Sequence, residues 1–210
     1  MVTKIEVKRL YADQGIPNLE QRIERIARDV AKVKGDWPSY TMIKYTLTKD
    51  YPVKLDDDTL AQYNRIYDFF VFSDGISDPV IFHELTHKFQ NDYRLMHGFY
   101  CNKLDKILIE GDAYRLMAEY EGIGVRKFLL TVLSSAFQNY ILGFLSRNNK
   151  KTEKGKLMFK IAKGMAYTKL LHNLKGEELV NYALIKYHKP RLLSIKSLLK
   201  DFYGKQDSIS

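Results

Sequence analysis

His83, Glu84 and His87 lie in the run Val80-Ile81-Phe82-His83-Glu84-Leu85-Thr86-His87-Lys88-Phe89. On a helix, residues four apart share a face, so the two imidazoles can reach one metal ion. Glu84 stands beside the first of them, where a carboxylate can hold and deprotonate a water on that ion. Two neutral nitrogen ligands, a base and an open coordination position are the parts of metal-assisted hydrolysis. Asp78-Pro79 reads as the start of the helix, with Asp capping and Pro at the first helical position. Val80, Ile81, Leu85 and Phe89 are apolar, so the helix is expected to be largely buried.

A catalytic zinc site takes three protein ligands and keeps its fourth position for water. The positions three and six residues past His87 are Gln90 and Tyr93. They exclude the metzincin pattern, which needs Gly and His there. His97 is placed near the end of the same helix or just beyond it. Glu110 is the better third ligand. A second helix over about 105–121 would carry it, with Ile107, Leu108, Ile109, Ala113, Leu116, Met117 and Tyr120 on a buried face. A carboxylate directly after three apolar residues is costly without a partner, and zinc would be that partner. The plainer reading of Glu110 is a first-turn acid favoured by the helix dipole.

With these residues in place, the chain resembles the gluzincins, zinc peptidases whose ligands are the two HExxH histidines and a downstream Glu. His-Glu-Leu-Thr-His is the form found in thermolysin-like enzymes. Glu110-Gly111-Asp112-Ala113 is more similar to the aminopeptidase-N-like branch, as is its distance of twenty-three residues from His87. A weaker echo is Ile161-Ala162-Lys163-Gly164, where that branch has Tyr-x-Lys-Gly with an oxyanion-stabilising tyrosine. Ile161 takes the tyrosine's place, and Lys88 stands where an uncharged residue is usual. The resemblance covers about residues 66–175. It implies Zn2+ on His83, His87 and Glu110, Glu84 as general base, and a peptide or protein substrate. The oxyanion donor must come from elsewhere; Tyr167 and His172 are preferred, since both follow a turn expected at Lys163-Gly164, ahead of Tyr182, Tyr187 and His188. Asp112 and Glu119 are candidates for orienting the histidines. The strand before the motif helix is implied to pair with substrate, which points to 69–73, although a plain buried strand fits that segment equally.

The elements that must position these residues read as an α+β chain, mainly helical. A short N-terminal sheet precedes the motif helix, the glutamate-bearing helix and a C-terminal helical bundle, the zincin-like order. The 210 residues suit one domain, or two lobes over 1–97 and 98–210. Leu19, Ile23, Ile26, Ala27, Val30 and Val33 mark a helix over 19–34 that ends at Gly35. Strands are expected over 40–48 and 66–72, the second closed by Ser73-Asp74-Gly75. The apolar stretch 128–145 approaches the length of a membrane span, but Ser134, Ser135, Gln138 and Asn139 favour a core helix. A charged loop or hinge is expected over 147–156, then helices over 153–173, 177–187 and 190–203.

The apolar share of 45% suits a folded core, and a single cysteine, Cys101, excludes an internal disulfide. With no apolar leader at the start, the expected location is cytoplasmic. The net charge is +9, from 34 basic against 25 acidic residues. Lysines crowd the second half, at Lys150, Lys151, Lys154, Lys156, Lys160, Lys163 and Lys169. A solvated helical face explains them more simply than a nucleic-acid surface. The rival to a peptidase is a noncatalytic zinc-containing binding or regulatory protein, in which nucleic acid could be the partner.

Overall fold

A computed structural model describes residues 4–11, 16–35, 37, 40–53, 60–97, 106–186 and 194–206. They form six helices and a small mixed sheet of four strands, so the protein is mainly helical. The chain divides into two compact units, Met1–Phe99 and Tyr100–Ser210.

The first unit holds strand β1 (Lys4–Arg9), helix α1 (Pro17–Lys34), strands β2 (Tyr40–Leu47), β3 (Ala61–Asn64) and β4 (Phe69–Phe72), and helix α2 (Asp78–Met96). The strand order is β1-β2-β4-β3, with β1, β2 and β4 parallel and β3 antiparallel to β4. Helix α1 starts with Pro17 in its first turn and stops where Gly35 takes φ 76°, a conformation that favours glycine. Its buried face is Leu19, Ile23, Ile26, Ala27 and Val30, while Val33, expected on the same face, is exposed. In β2, Thr41, Ile43, Tyr45 and Leu47 alternate into the core.

The strand expected over 66–72 is a hairpin instead. Asn64 Oδ1 accepts the Ile66 and Tyr67 amides at 3.2 Å each, an Asx turn that bends the chain before β4. Ile66 and Tyr67 are therefore exposed, and 61–64 becomes an additional strand. All four side chains of β4 are buried, and both its edges are hydrogen-bonded within the sheet. No substrate strand can add to 69–73. Among the described strands the free edge next to β4 belongs to β3.

The second unit is helical: α3 (Lys106–Tyr120), α4 (Val125–Leu145), α5 (Asn149–Lys186) and α6 (Ile195–Gln206). The charged hinge expected over 147–156 is mostly helix, because α5 begins at Asn149 after a short turn. Helix α5 breaks at Lys175 and Gly176, the latter with φ 66°, where two separate helices are expected. Helix α6 is described from Ile195; the start expected at Pro190 lies outside the described residues, as do Cys101, Tyr187 and His188. Leu108 and Ile109 of α3 join Leu171, Leu179, Leu184 and Phe202 in one core cluster. Ala118, Val125, Val132, Ile161, Ala162 and Met165 form another.

Helices α3 and α5 cross where glycine meets glycine. A Cβ on Gly164 would lie 2.0 Å from the Ile107 carbonyl oxygen, and one on Gly111 would lie 2.2 Å from the Gly164 carbonyl carbon. In an open helix Gly→Ala stabilises by about 1 kcal/mol. Here backbone would have to move, so Gly164→Ala is expected to cost about 1–3 kcal/mol, read as a lower denaturant midpoint.

Helix α4 is not the core helix expected over 128–145. Of its most apolar window 17% is buried, and its buried residues are Val125, Val132, Ala136 and Gly143. By length and composition alone it is apolar enough to cross a membrane.

Candidate metal centre

Helix α2 is set against α1 by charge. Asp78 does not cap its own helix: Ser77 is the N-cap, and the Asp78 carboxylate turns outward to arginines of α1. Arg22 donates to Asp78 Oδ1 from Nε at 2.8 Å and Nη2 at 2.6 Å, and to the Ile76 carbonyl at 2.7 Å; Arg25 donates to Asp78 Oδ2. Burial pushes the Asp78 carboxyl up, but Arg22 and Arg25 outweigh it and hold it below the usual carboxylate range. A depressed folded-state pKa stabilises above the unfolded value and is lost as pH falls through the folded one. Asp78→Asn should therefore lower stability near neutral pH, and the gap to wild type should close as pH falls below about 4. Urea midpoints measured across that range check it.

The apolar positions of α2 make one side core: Ile81, Phe82, Leu85 and Phe89 are buried. The Trp37 ring meets Phe89 edge-on at 5.6 Å between centroids. Lys88 is buried too, and its charge is met: Nζ lies 2.9 Å from Asp68 and 3.2 Å from Asp92. Asp92 also accepts the Trp37 indole N–H at 3.0 Å. Burial raises the Asp92 carboxyl pKa against the opposing pull of Lys88. The departure at Lys88 is thus absorbed by two carboxylates that no motif specifies.

His83 and His87 point the same way from α2. Their Nε2 atoms are 3.1 Å apart, with the rings perpendicular. The Nδ1 of His87 meets Gln90 Oε1 at 3.0 Å. The amide oxygen can only accept, so it draws the proton to Nδ1 and leaves Nε2 with its lone pair. Gln90 thus does the orienting expected of Asp112 and Glu119. Those two pair elsewhere: Arg115 Nη2 donates to Asp112 at 2.8 Å and to Glu177, and Nη1 donates to Glu119 at 3.1 Å. Arg115 and Asp112 are fully buried, so each needs the other. Burial alone would lower the Arg115 pKa; Asp112 and Glu177 outweigh it and keep the guanidinium charged.

Each of His83, His87 and Glu110 offers one ligand atom, and these atoms lie within 4.8 Å of one another. His83 is buried and the other two are half-buried. Such a group could hold a metal ion. Zinc–nitrogen bonds of about 2.0–2.1 Å at a tetrahedral angle separate two nitrogens by about 3.3 Å, close to the observed spacing of the histidines. An N–H···N hydrogen bond suits that distance as well. The Glu110 carboxylate adds the third donor atom that such a group needs to hold a metal ion.

Glu84 faces strand β3. Its Oε2 accepts the Tyr63 backbone N–H at 2.8 Å. Tyr63 is anchored at its other end, where its hydroxyl donates to Asp68 at 2.8 Å and its ring lies on Phe70. Burial, then Asp68, raises the Tyr63 pKa far above the ordinary tyrosine value. Sequence reading misses Tyr63 because β3 carries no strand signal. Gln90 is missed as well, although its place one helical turn past His87 is a signal that could find it.

The remaining candidates all lie in the second unit or at the end of α2. Tyr167 packs on the cluster that contains Leu108 and Ile109. His172 Nε2 lies 3.8 Å from Glu177, and Tyr182 donates to Asp201 at 2.9 Å. Lys163-Gly164 is mid-helix rather than a turn, and Ile161 is a core residue. His97 is the C-cap of α2 with its ring on Tyr93. Comparison with protein-family models, with curated proteins and with solved structures finds no match to this chain.

Proposed function

We propose that the chain is a zinc-dependent peptidase of zincin-like, gluzincin-type architecture, with His83, His87 and Glu110 as ligands and Glu84 as general base. The observation that carries the reading is the convergence of the three donor atoms beside a fourth group, Glu84, that is held by an edge strand rather than by the donors. Zinc bound there would supply Lewis-acid activation of water and of a peptide carbonyl. Glu84 uses Oε2 on the Tyr63 amide, which leaves its second oxygen to take a proton from water and pass it to the leaving amine. In an antiparallel pair, alternate residues present both backbone groups to one edge. Leu60 points its carbonyl to Ser73, so Ala61 and Tyr63 face outward. A peptide adding along β3 would pair with Ala61 and lie next to Glu84, which gives β3 the role expected of 69–73.

Tyr167 is the favoured oxyanion donor. The Gly111–Gly164 crossing places the turn of α5 that carries Tyr167 against the turn of α3 that carries Glu110. His172 is turned toward Glu177 instead. Tyr167→Phe should cost about 10²–10³ in rate with zinc affinity unchanged. A noncatalytic zinc protein would need the carboxylate at position 84 only as an acceptor for the Tyr63 N–H, which an amide would serve as well. The test is digestion of a peptide library by the zinc-loaded chain from about pH 5 to 9, with new termini read by mass spectrometry. Cleavage that a chelator stops and zinc restores is expected. No cleavage at any pH, with zinc bound and the fold intact, would overturn the reading.

A further inference from the structure

Helix α4 presents an apolar stripe to solvent. Leu130, Phe137, Ile141, Phe144 and Leu145 are exposed by 59%, 60%, 38%, 71% and 72%. Their spacing runs down one side of the helix, interrupted only by Ser134. Fifteen residue steps of 1.5 Å rise make the stripe about 22 Å long. The opposite side, with Val132, Ala136 and Gly143, packs on α5.

Cations frame this stripe. Arg126 and Lys127 are exposed at its start, and α4 has no acidic residue. Past its end, Arg147, Lys150, Lys151 and Lys154 are exposed, followed along α5 by Lys160 and Lys163. Glu153 is the one acid between 147 and 163. An exposed apolar face edged by lysine and arginine fits the boundary between anionic headgroups and acyl chains.

The same charges argue against two other occupants. A second copy laid on the stripe would bring cation clusters together whether the helices ran parallel or antiparallel. Crossing the bilayer is also disfavoured, because α4 is locked to a charged helix. A Cβ on Gly143 would lie 2.5 Å from the Thr152 amide nitrogen, and one on Gly155 would lie 2.7 Å from that of Tyr140. Carrying α4 through would take the lysines of α5 into hydrocarbon.

We propose that the α4–α5 hairpin docks on an anionic lipid surface, its apolar stripe seated at the headgroup boundary. This proposal is independent of the metal centre. The test is flotation of the full chain with phosphatidylcholine vesicles, with and without phosphatidylserine. Binding is expected with phosphatidylserine and should weaken with added salt. The Phe137→Glu, Ile141→Glu double variant alters exposed positions, so circular dichroism should be unchanged while binding falls by about a hundred-fold or more. Lys150→Gln and Lys151→Gln should each weaken binding to the anionic vesicles about five-fold. Failure of the wild type to bind phosphatidylserine vesicles would overturn the proposal, as would equal binding by the double variant. So would a double variant whose only change is dissociation of a dimer in sedimentation velocity, which would make the stripe a contact between copies.

Discussion

Removing either motif histidine is expected to strip the protein of its metal. Structural zinc sites bind with roughly 10–16 kcal/mol, so one ligand of three accounts for a loss on the order of 10³-fold in affinity. His83→Ala and His87→Ala should both show it in competition titrations against a chromophoric chelator. Glu110→Ala should weaken binding by a comparable factor, since its carboxylate is one of the three donor atoms that converge. A Gln90→Ala variant should lose less, about 10–100-fold, because Gln90 only fixes the orientation and tautomer of His87. Equal affinity in Glu110→Ala and wild type would remove Glu110 from the ligand set.

Glu84→Gln separates the base from the ligands. The amide keeps an oxygen for the Tyr63 N–H and so preserves the tie between α2 and β3. It cannot take up a proton, so turnover should fall by about 10²–10⁴-fold or more while zinc affinity stays that of the wild type. Single-turnover cleavage of one identified peptide, alongside the chelator titration, reads both quantities. A Glu84→Gln protein that cleaves at the wild-type rate would assign the proton transfer to another group.

Much of the candidate metal centre is legible because four-residue spacing on a helix is a local property. His83 and His87 share a face once α2 forms, and the apolar positions around them require that it form. Glu110 could be singled out because a carboxylate after Ile107, Leu108 and Ile109 needs a partner. The rest depended on tertiary contacts that sequence does not display. Asp78 reads as a cap, but Arg22 and Arg25 approach from another helix and take its carboxylate. Asp112 and Glu119 read as orienting groups, but Arg115 lies within their reach on the same helix and claims them. Lys163-Gly164 reads as a turn, yet its glycine is there to let α3 approach α5.

The fold shows the same division. Helix α1 and strand β2 were readable from their periodicity. Strand β1 carries a period-two cue in Lys4-Ile5-Glu6-Val7-Lys8, but with only two apolar residues it is a weak one. Strand β3 forms because Asn64 turns the chain back, which pairs a polar segment with the apolar β4. Helix α4 departs from the expected core helix because hydropathy measures how apolar a helix is and not whether another element covers it.

The proposed hydrolysis at the motif requires one metal ion held by His83, His87 and Glu110. X-ray absorption at the zinc edge on the purified full chain tests this most directly. The expected spectrum is a nitrogen and oxygen shell at about 2.0–2.1 Å with outer-shell scattering from two imidazoles, absent from the His83→Ala, His87→Ala double variant. A sulfur shell at about 2.3 Å, or an unchanged spectrum in the double variant, would place the metal elsewhere and contradict it.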